Sequence, residues 1–362
     1  MSYESPVAPS LLDLIGRTWT LPGGVTQACF NRDGSSVAFV GGGRLAIAAL
    51  ADPERPEARL RRAADTGRQS ILPRKNPVRP AAEAEGVTGP IAAWGAKSFI
   101  TGGARGGLVS VTPRGQVVPV AAPLDGPPLA LARDPTSATV AAGDASGLVF
   151  LPDDGGPAIR QDLGTAVTAL AFAPDGLLAI GDAGGVTLLV DGEPIQRIAL
   201  DAAPVTLCWS PDGSWLAAGF RTPGMALLRP ANGLVDANPD YPTPVASFGW
   251  SRPAQAFATS GAFRAIVWTL TAEGLGDPVE AGRAGLVVVD RVAASPDRPL
   301  LAVGYANGLV CINKIGVREE MMLRSAGGAI TALCWSADGT HLAFGDAEGK
   351  ATLVAFPADL FK

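Results

Sequence analysis

The chain has 362 residues but one histidine, His341, and four scattered cysteines, Cys29, Cys208, Cys311 and Cys334. A zinc site with several His ligands cannot be built on one imidazole, and a Ser-His-Asp or Cys-His relay would have only His341 to use. His341 also stands directly after a turn, where a surface or turn role is expected. No CxxC pairs the cysteines, so reduced, unligated thiols are the expectation. Paired-carboxylate hydrolysis needs no histidine. The recurrent carboxylates, Asp144, Asp182 and Asp346, stand in a Gly-Asp-Ala-x-Gly phrase, which suits a side chain capping its own turn. The other reading of these three is an acidic cluster at a channel mouth. Neither a P-loop nor a strand–GxGxxG–helix unit is present, and the glycine-rich string 102–107 reads as a hairpin turn. No catalytic residue, cofactor or metal site is therefore assigned.

The second chemically distinctive group is basic. Residues 59–80 hold seven Lys or Arg and one acid, a local charge of +6 in a chain of net −5, so the remainder carries −11. Arg61, Arg62, Arg74, Lys75 and Arg79 could dock an acidic protein surface or, as the alternative, RNA. No aromatic residues interleave with them, so bases would have no stacking platform. Prolines 73, 77 and 80 argue against regular structure here. If 58–62 supplies an outer strand, the rest of the basic stretch is a mobile loop, with 81–86 as linker.

These residues need a scaffold, and the sequence supplies one by repetition. An alternating strand, a turn, an apolar strand ending near Gly, a second turn and a third strand recur, most clearly from Val167, Val205 and Ile330. Markers Gly103, Gly143, Gly181, Gly219, Gly261, Gly304 and Gly345 are 40, 38, 38, 42, 43 and 41 residues apart, and an earlier copy ends at Gly42. That makes eight units. Pro211-Asp212-Gly213 and its equivalents combine a preset φ, an Asx-type acceptor and a residue tolerant of positive φ. Fourth strands are expected near 159–163, 195–200 and 321–324. Cys29, Ala93, Ala132, Ala171, Cys208, Gly249, Ala293 and Cys334 hold one repeat position, and all are small. A small residue there suits innermost strands converging on an axis, with the three cysteines acting as small apolar groups.

Units of about 40 residues with four strands describe a β-propeller. The turns Ser210–Gly213, Ala173–Gly176 and Ser336–Gly339, the small-residue second strands, and Trp209, Trp250 and Trp335 resemble the WD-repeat (WD40) family from about residue 17 to 356. The pattern departs from the family's in lacking any Trp-Asp or Gly-His dipeptide, although Trp268 sits where the repeat Trp would fall. The family's His–Asp network is therefore not expected, and apolar packing between blades must carry the stability. The fold class expected is all-β, a propeller of four-stranded antiparallel blades. Eight blades are expected, or seven if one degenerate unit is not a full blade.

An extension over 1–16 precedes a single propeller domain, 17–362, with a basic Pro-rich insertion at about 63–89. Residues 17–21 lie where a fourth strand would precede the first unit, so they are expected to complete the last blade and leave no open edge. Deletion of 66–86 should then be tolerated better than deletion of 17–21. No apolar run approaches 18 residues, and no secretory signal is evident at the N-terminus. Twenty-four arginines against five lysines is a bias that GC-rich bacterial genomes produce. A monomeric cytoplasmic propeller is the simplest account.

Function then falls to the loops. On the face carrying the second-to-third turns, Arg44, Arg105, Arg221, Phe263, Arg264, Asn307 and Glu348 would be displayed, and Arg and aromatic residues suit protein recognition. What the WD-repeat resemblance implies is a non-catalytic protein-interaction scaffold. The alternatives are a nucleic-acid-associated factor using residues 59–80 and an enzyme with an unrecognised channel site.

Overall fold

A computed structural model describes residues 10–358, 360 and 361; the first nine residues of the expected extension lie outside the described residues. Eight four-stranded antiparallel sheets form the blades. Their innermost strands are Val25–Phe30, Val87–Trp94, Ala130–Arg133, Ala169–Phe172, Pro204–Trp209, Phe248–Ser251, Val289–Ala294 and Ile330–Trp335, which number blades one to eight. In blade eight the order runs inward from Gly16–Thr20 through Lys350–Ala355 and His341–Asp346 to Ile330–Trp335. Gly16 pairs with Val354 and Thr20 with Lys350, so the N-terminal strand completes the last blade. The innermost strand of blade eight touches those of blades seven and one, and the ring has no open edge.

Local chemistry explains the hairpins. At the first turn of blade five, Asp212 accepts from the Ser214 amide at 3.1 Å and from Ser210 Oγ at 2.5 Å. Gly213 then adopts φ +71°, a left-handed conformation that suits glycine. Ser336, Asp338 and Thr340 repeat the arrangement in blade eight.

Three of the marker glycines have a different job. Gly143, Gly304 and Gly345 close their second strands without positive φ. A Cβ on Gly143 would collide with Val167 of blade four, one on Gly345 with Val25 of blade one, and one on Gly304 would lie 2.5 Å from Ile330 of blade eight. Each glycine thus makes room for the branched residue opening the next blade. The repeat period in the sequence is a record of blade-to-blade packing.

Hydrogen bonds also cross between blades near the axis. Thr168 Oγ1 donates to Pro204 O at 2.6 Å, and Thr331 Oγ1 donates to Val25 O. Trp209 Nε1 donates to Ala171 O and Trp335 Nε1 to Ala293 O, both at 3.0 Å. Blade six has a chain of its own. Trp268 Nε1 donates to Tyr241 Oη at 3.3 Å, and Tyr241 Oη lies 2.7 Å from Thr259 Oγ1. Here a polar chain through Tyr241 supplements the apolar packing that the sequence reading expected to carry the stability. Cys29, Cys208 and Cys334 are free thiols on innermost strands. Burial pushes Cys29 up to about 12 and Cys208 to about 11, so at neutral pH both are unreactive, protonated thiols.

The outer strand of blade one corrects the sequence reading. It is Ala82–Glu85, paired with Arg44–Ile47, not 58–62. Leu60–Arg62 instead pairs with Gln69–Ile71 as a separate two-stranded hairpin. The inserted segment therefore spans about 50–81, and 82–89 belongs to blades one and two. Deleting 66–86 would remove a blade strand, so the expected tolerance of that deletion does not hold. The basic composition obscured this, because the short alternating Ala-Glu-Ala-Glu run reads as linker.

Candidate interaction surface

Each expected carboxylate serves its own turn. Asp144 accepts from the Ser146 and Gly147 amides at 3.0 and 2.8 Å and from Arg160 Nη1 at 2.7 Å. Burial works against its ionisation, but Arg160 and the amides outweigh that and hold the carboxyl below the usual range. Arg197, with the Gly184 amide, does the same for Asp182. Asp346 is paired with Arg324 at 2.8 Å, across the gap from blade seven to blade eight. With all three carboxylates occupied by their own amides and an arginine, the turn-capping reading accounts for them. Sequence reading missed the arginine partners, since they lie 15 to 22 residues away on other strands.

Two arginines of the basic insertion, Arg59 and Arg74, turn inward. Arg59, 6% exposed, donates to the backbone oxygens of Glu54 at 2.8 Å, Leu72 at 2.5 Å and Leu14. Arg74 is held by Asp52, and Arg17 of the closing strand approaches the same carboxylate at 3.8 Å. Arg17 also donates to Ala49 O at 2.7 Å, and Trp19 Nε1 donates to Arg79 O at 2.9 Å. Ile71, the helix Leu11–Ile15, Leu360 and Phe361 cover the apolar core of blades seven and eight. This corrects the expectation of a mobile loop: the insertion clasps the closing strand. Arg74 is committed there, while Arg61, Arg62, Lys75 and Arg79 remain exposed at its surface.

On the turn-bearing face, Arg44 is spent on Glu83 at 3.0 Å and Glu85 at 2.7 Å. Arg105 and Arg221 are exposed on separate blades. The Asn307 side chain accepts from the Leu309 amide of its own turn, whereas Glu348 donates only its backbone amide to Asp346 and is exposed. Phe263 and Arg264 differ, because the backbone beneath them is fixed from both sides. Gly261 N donates to Val289 O and Val289 N to Ala262 O, both at 2.8 Å, and Gly285 N donates to Phe263 O at 3.1 Å. Ser260 Oγ accepts from the Ala246 and Ser247 amides at 3.1 Å, and Thr243 Oγ1 donates to Gly261 O at 3.0 Å. The side chains nonetheless face water: Phe263 is 48% and Leu286 95% exposed. Leu286 was not singled out from the sequence, where nothing distinguishes it from a core leucine.

Beside this pair lies a cavity of about 260 Å³ lined by Arg264, Ile266, Val279, Glu280, Arg283 and Arg318, among others. The inner strands contain charges that sequence reading also missed. Arg133 is paired with Asp153 at 2.5 Å, and Arg291 donates to Thr331 O at 2.9 Å and Asp290 O at 2.8 Å. His341 is half-buried beside Thr340, with its pKa lowered by burial. Among the described residues, no group of three or more His, Cys, Asp or Glu side chains is placed to hold a metal.

A family profile described as WD domain, G-beta repeat matches residues 193–222. That stretch is the outer strand of blade four followed by the two inner strands of blade five. The chain is a WD40-like, eight-bladed propeller. Among solved structures, this WD40-like propeller is similar to the computationally designed Ika8 protein, with a TM-score of 0.67 and 15% identity over 95% of this chain and 99% of that one. It is similar also to the C-terminal WD40 domain of Sif2, with a TM-score of 0.65 and 13% identity over 95% and 99% of the two chains. At such identities the likeness concerns the fold alone. No curated protein sequence matches the chain. Among the described residues, no helix of the propeller is long and apolar enough to cross a membrane.

Proposed function

We propose that this WD40-like propeller is a non-catalytic scaffold that binds a protein partner at the corner between blades six and seven. The observation that carries the reading is the exposure of Phe263 and Leu286 on two loops joined by the Gly285 N–Phe263 O hydrogen bond, the first of them pinned also by Val289, Ser260 and Thr243. Apolar side chains this exposed gain most from being covered. A backbone already fixed loses little further entropy when they are. The propeller acts by rigid presentation, as a monomer in the cytoplasm. The nucleic-acid alternative draws less support, because Arg59 and Arg74 are turned to carbonyls and a carboxylate.

Comparative capture from the native host tests the proposal, using wild type, F263S/L286S, and a variant with Arg61, Arg62, Lys75 and Arg79 changed to Gln. A partner lost only from F263S/L286S supports the corner. Equal recovery by wild type and F263S/L286S, with loss from the glutamine variant, would move the interaction to the insertion.

A further inference from the structure

The apolar pair does not stand alone at that corner. Arg264, Arg283 and Arg318 line one cavity beside it, with Glu280 as the cavity's only acidic lining residue. Arg318 is engaged: its Nε donates to Glu280 at 2.8 Å, and its Nη2 lies 2.7 Å from the same carboxylate. Arg283 comes only within 4.0 Å of Glu320 and is 77% exposed. Arg264 makes no ion pair among the described residues. The cavity's remaining wall is apolar, including Ile266, Pro278, Val279 and Ala281.

A guanidinium offers a planar fork that matches a carboxylate. Two such forks at the mouth of an apolar-walled pocket, beside two exposed apolar side chains, specify a ligand with neighbouring apolar and acidic groups. We infer that the corner between blades six and seven recognises an acidic peptide segment of its partner, in which an aliphatic or aromatic residue covers Phe263 and Leu286 while an Asp or Glu carboxylate enters between Arg264 and Arg283. This rests on the scaffold reading above and names the chemical class of the partner. The volume, about 260 Å³, suits one side chain and not a folded element. The corner's positive charge stands against the chain's net charge of −5 and favours an acidic ligand there.

The test uses the full chain and a phage-displayed library of random 12-residue peptides. Clones enriched on wild type are synthesised and titrated by fluorescence anisotropy against wild type, F263S/L286S and R264E/R283E, after all three proteins have been matched in melting temperature. The expected clones place Asp or Glu within a few residues of Leu, Ile, Phe or Met. Their affinity falls about tenfold or more in R264E/R283E, as the loss of charge-assisted contacts requires, and it weakens as salt rises. Changing the clone's acid to Lys should restore binding to R264E/R283E. Clones that need Phe263 and Leu286 but are indifferent to R264E/R283E would overturn the acidic-segment inference and leave the scaffold site standing. Failure to enrich any clone sensitive to F263S/L286S would overturn both.

Discussion

The seam between blades eight and one and the corner between blades six and seven are both places where loops bring arginines to the rim. At the seam, Arg17, Arg59 and Arg74 point inward and end on Asp52 or on backbone oxygens. At the corner, Arg264 and Arg283 point outward and end on nothing stronger than a 4.0 Å approach to Glu320. The seam has by far the higher density of positive charge in the sequence, yet Arg59 and Arg74 are consumed there while Arg61, Arg62, Arg68, Lys75 and Arg79 stay exposed. Local charge is therefore a poor guide to a binding surface. What matters is whether each guanidinium already has its acceptors.

The largest expected effect tests the seam. Replacing Arg59 with Met leaves several backbone oxygens without their donor, and should cost about 3 kcal/mol in urea unfolding, the scale of losing buried charge-assisted hydrogen bonds. If R59M melts like wild type, the clasp contributes nothing and the contrast with the corner collapses. Next comes the blade-to-blade contact. A Cβ at Gly143 meets Val167, so G143A should cost about 1–3 kcal/mol, and pairing it with V167A should recover part of that loss. An additive double variant would refute the packing origin of the repeat glycines.

A smaller effect concerns Asp290, at the bulge of blade seven where Thr331 stands at the bulge of blade eight. Burial raises the Asp290 carboxyl above its ordinary value, against the opposing pull of Arg291. The native fold thus favours the protonated acid. The resulting stability is full below the unfolded pKa of about 4 and is lost as pH rises through the higher native value. Threonine carries no such charge and can donate as Thr331 does. D290T should therefore exceed wild type in unfolding free energy at neutral pH, by on the order of 1 kcal/mol, and the gap should close in acid. A gap that persists or widens in acid would contradict the assignment. Smallest of all, F263S/L286S should change stability by less than about 0.5 kcal/mol, as exposed positions do. A large drop in unfolding experiments would mean that the corner serves the fold and not a partner.

Much of this molecule was legible in its sequence. The alternation of Val205–Trp209, the Asp212-Gly213 turn and the regular glycine spacing are local or periodic signals, and they suffice for the blades and their number. Closure was legible because 17–21 stands where a fourth strand would precede the first unit, and the strand observed is Gly16–Thr20. The outer strand of blade one was illegible, because 82–85 carries no strand composition and its pairing with Arg44–Ile47 spans an insertion. The corner was half legible: Phe263 and Arg264 stood out as turn residues of the right type, while Leu286 and Arg283 did not.

The division has a physical cause. Strand periodicity and turn chemistry are fixed by neighbours within a few residues, so the sequence alone determined eight repeat units and the propeller class they build. Whether an arginine is spent or available depends on acceptors brought together from afar, as Arg17 meets Asp52 and Arg324 meets Asp346. Only the tertiary structure decided that Arg59 and Arg74 of the basic insertion are spent at the ring's seam and that Arg264 and Arg283 line one cavity between blades six and seven.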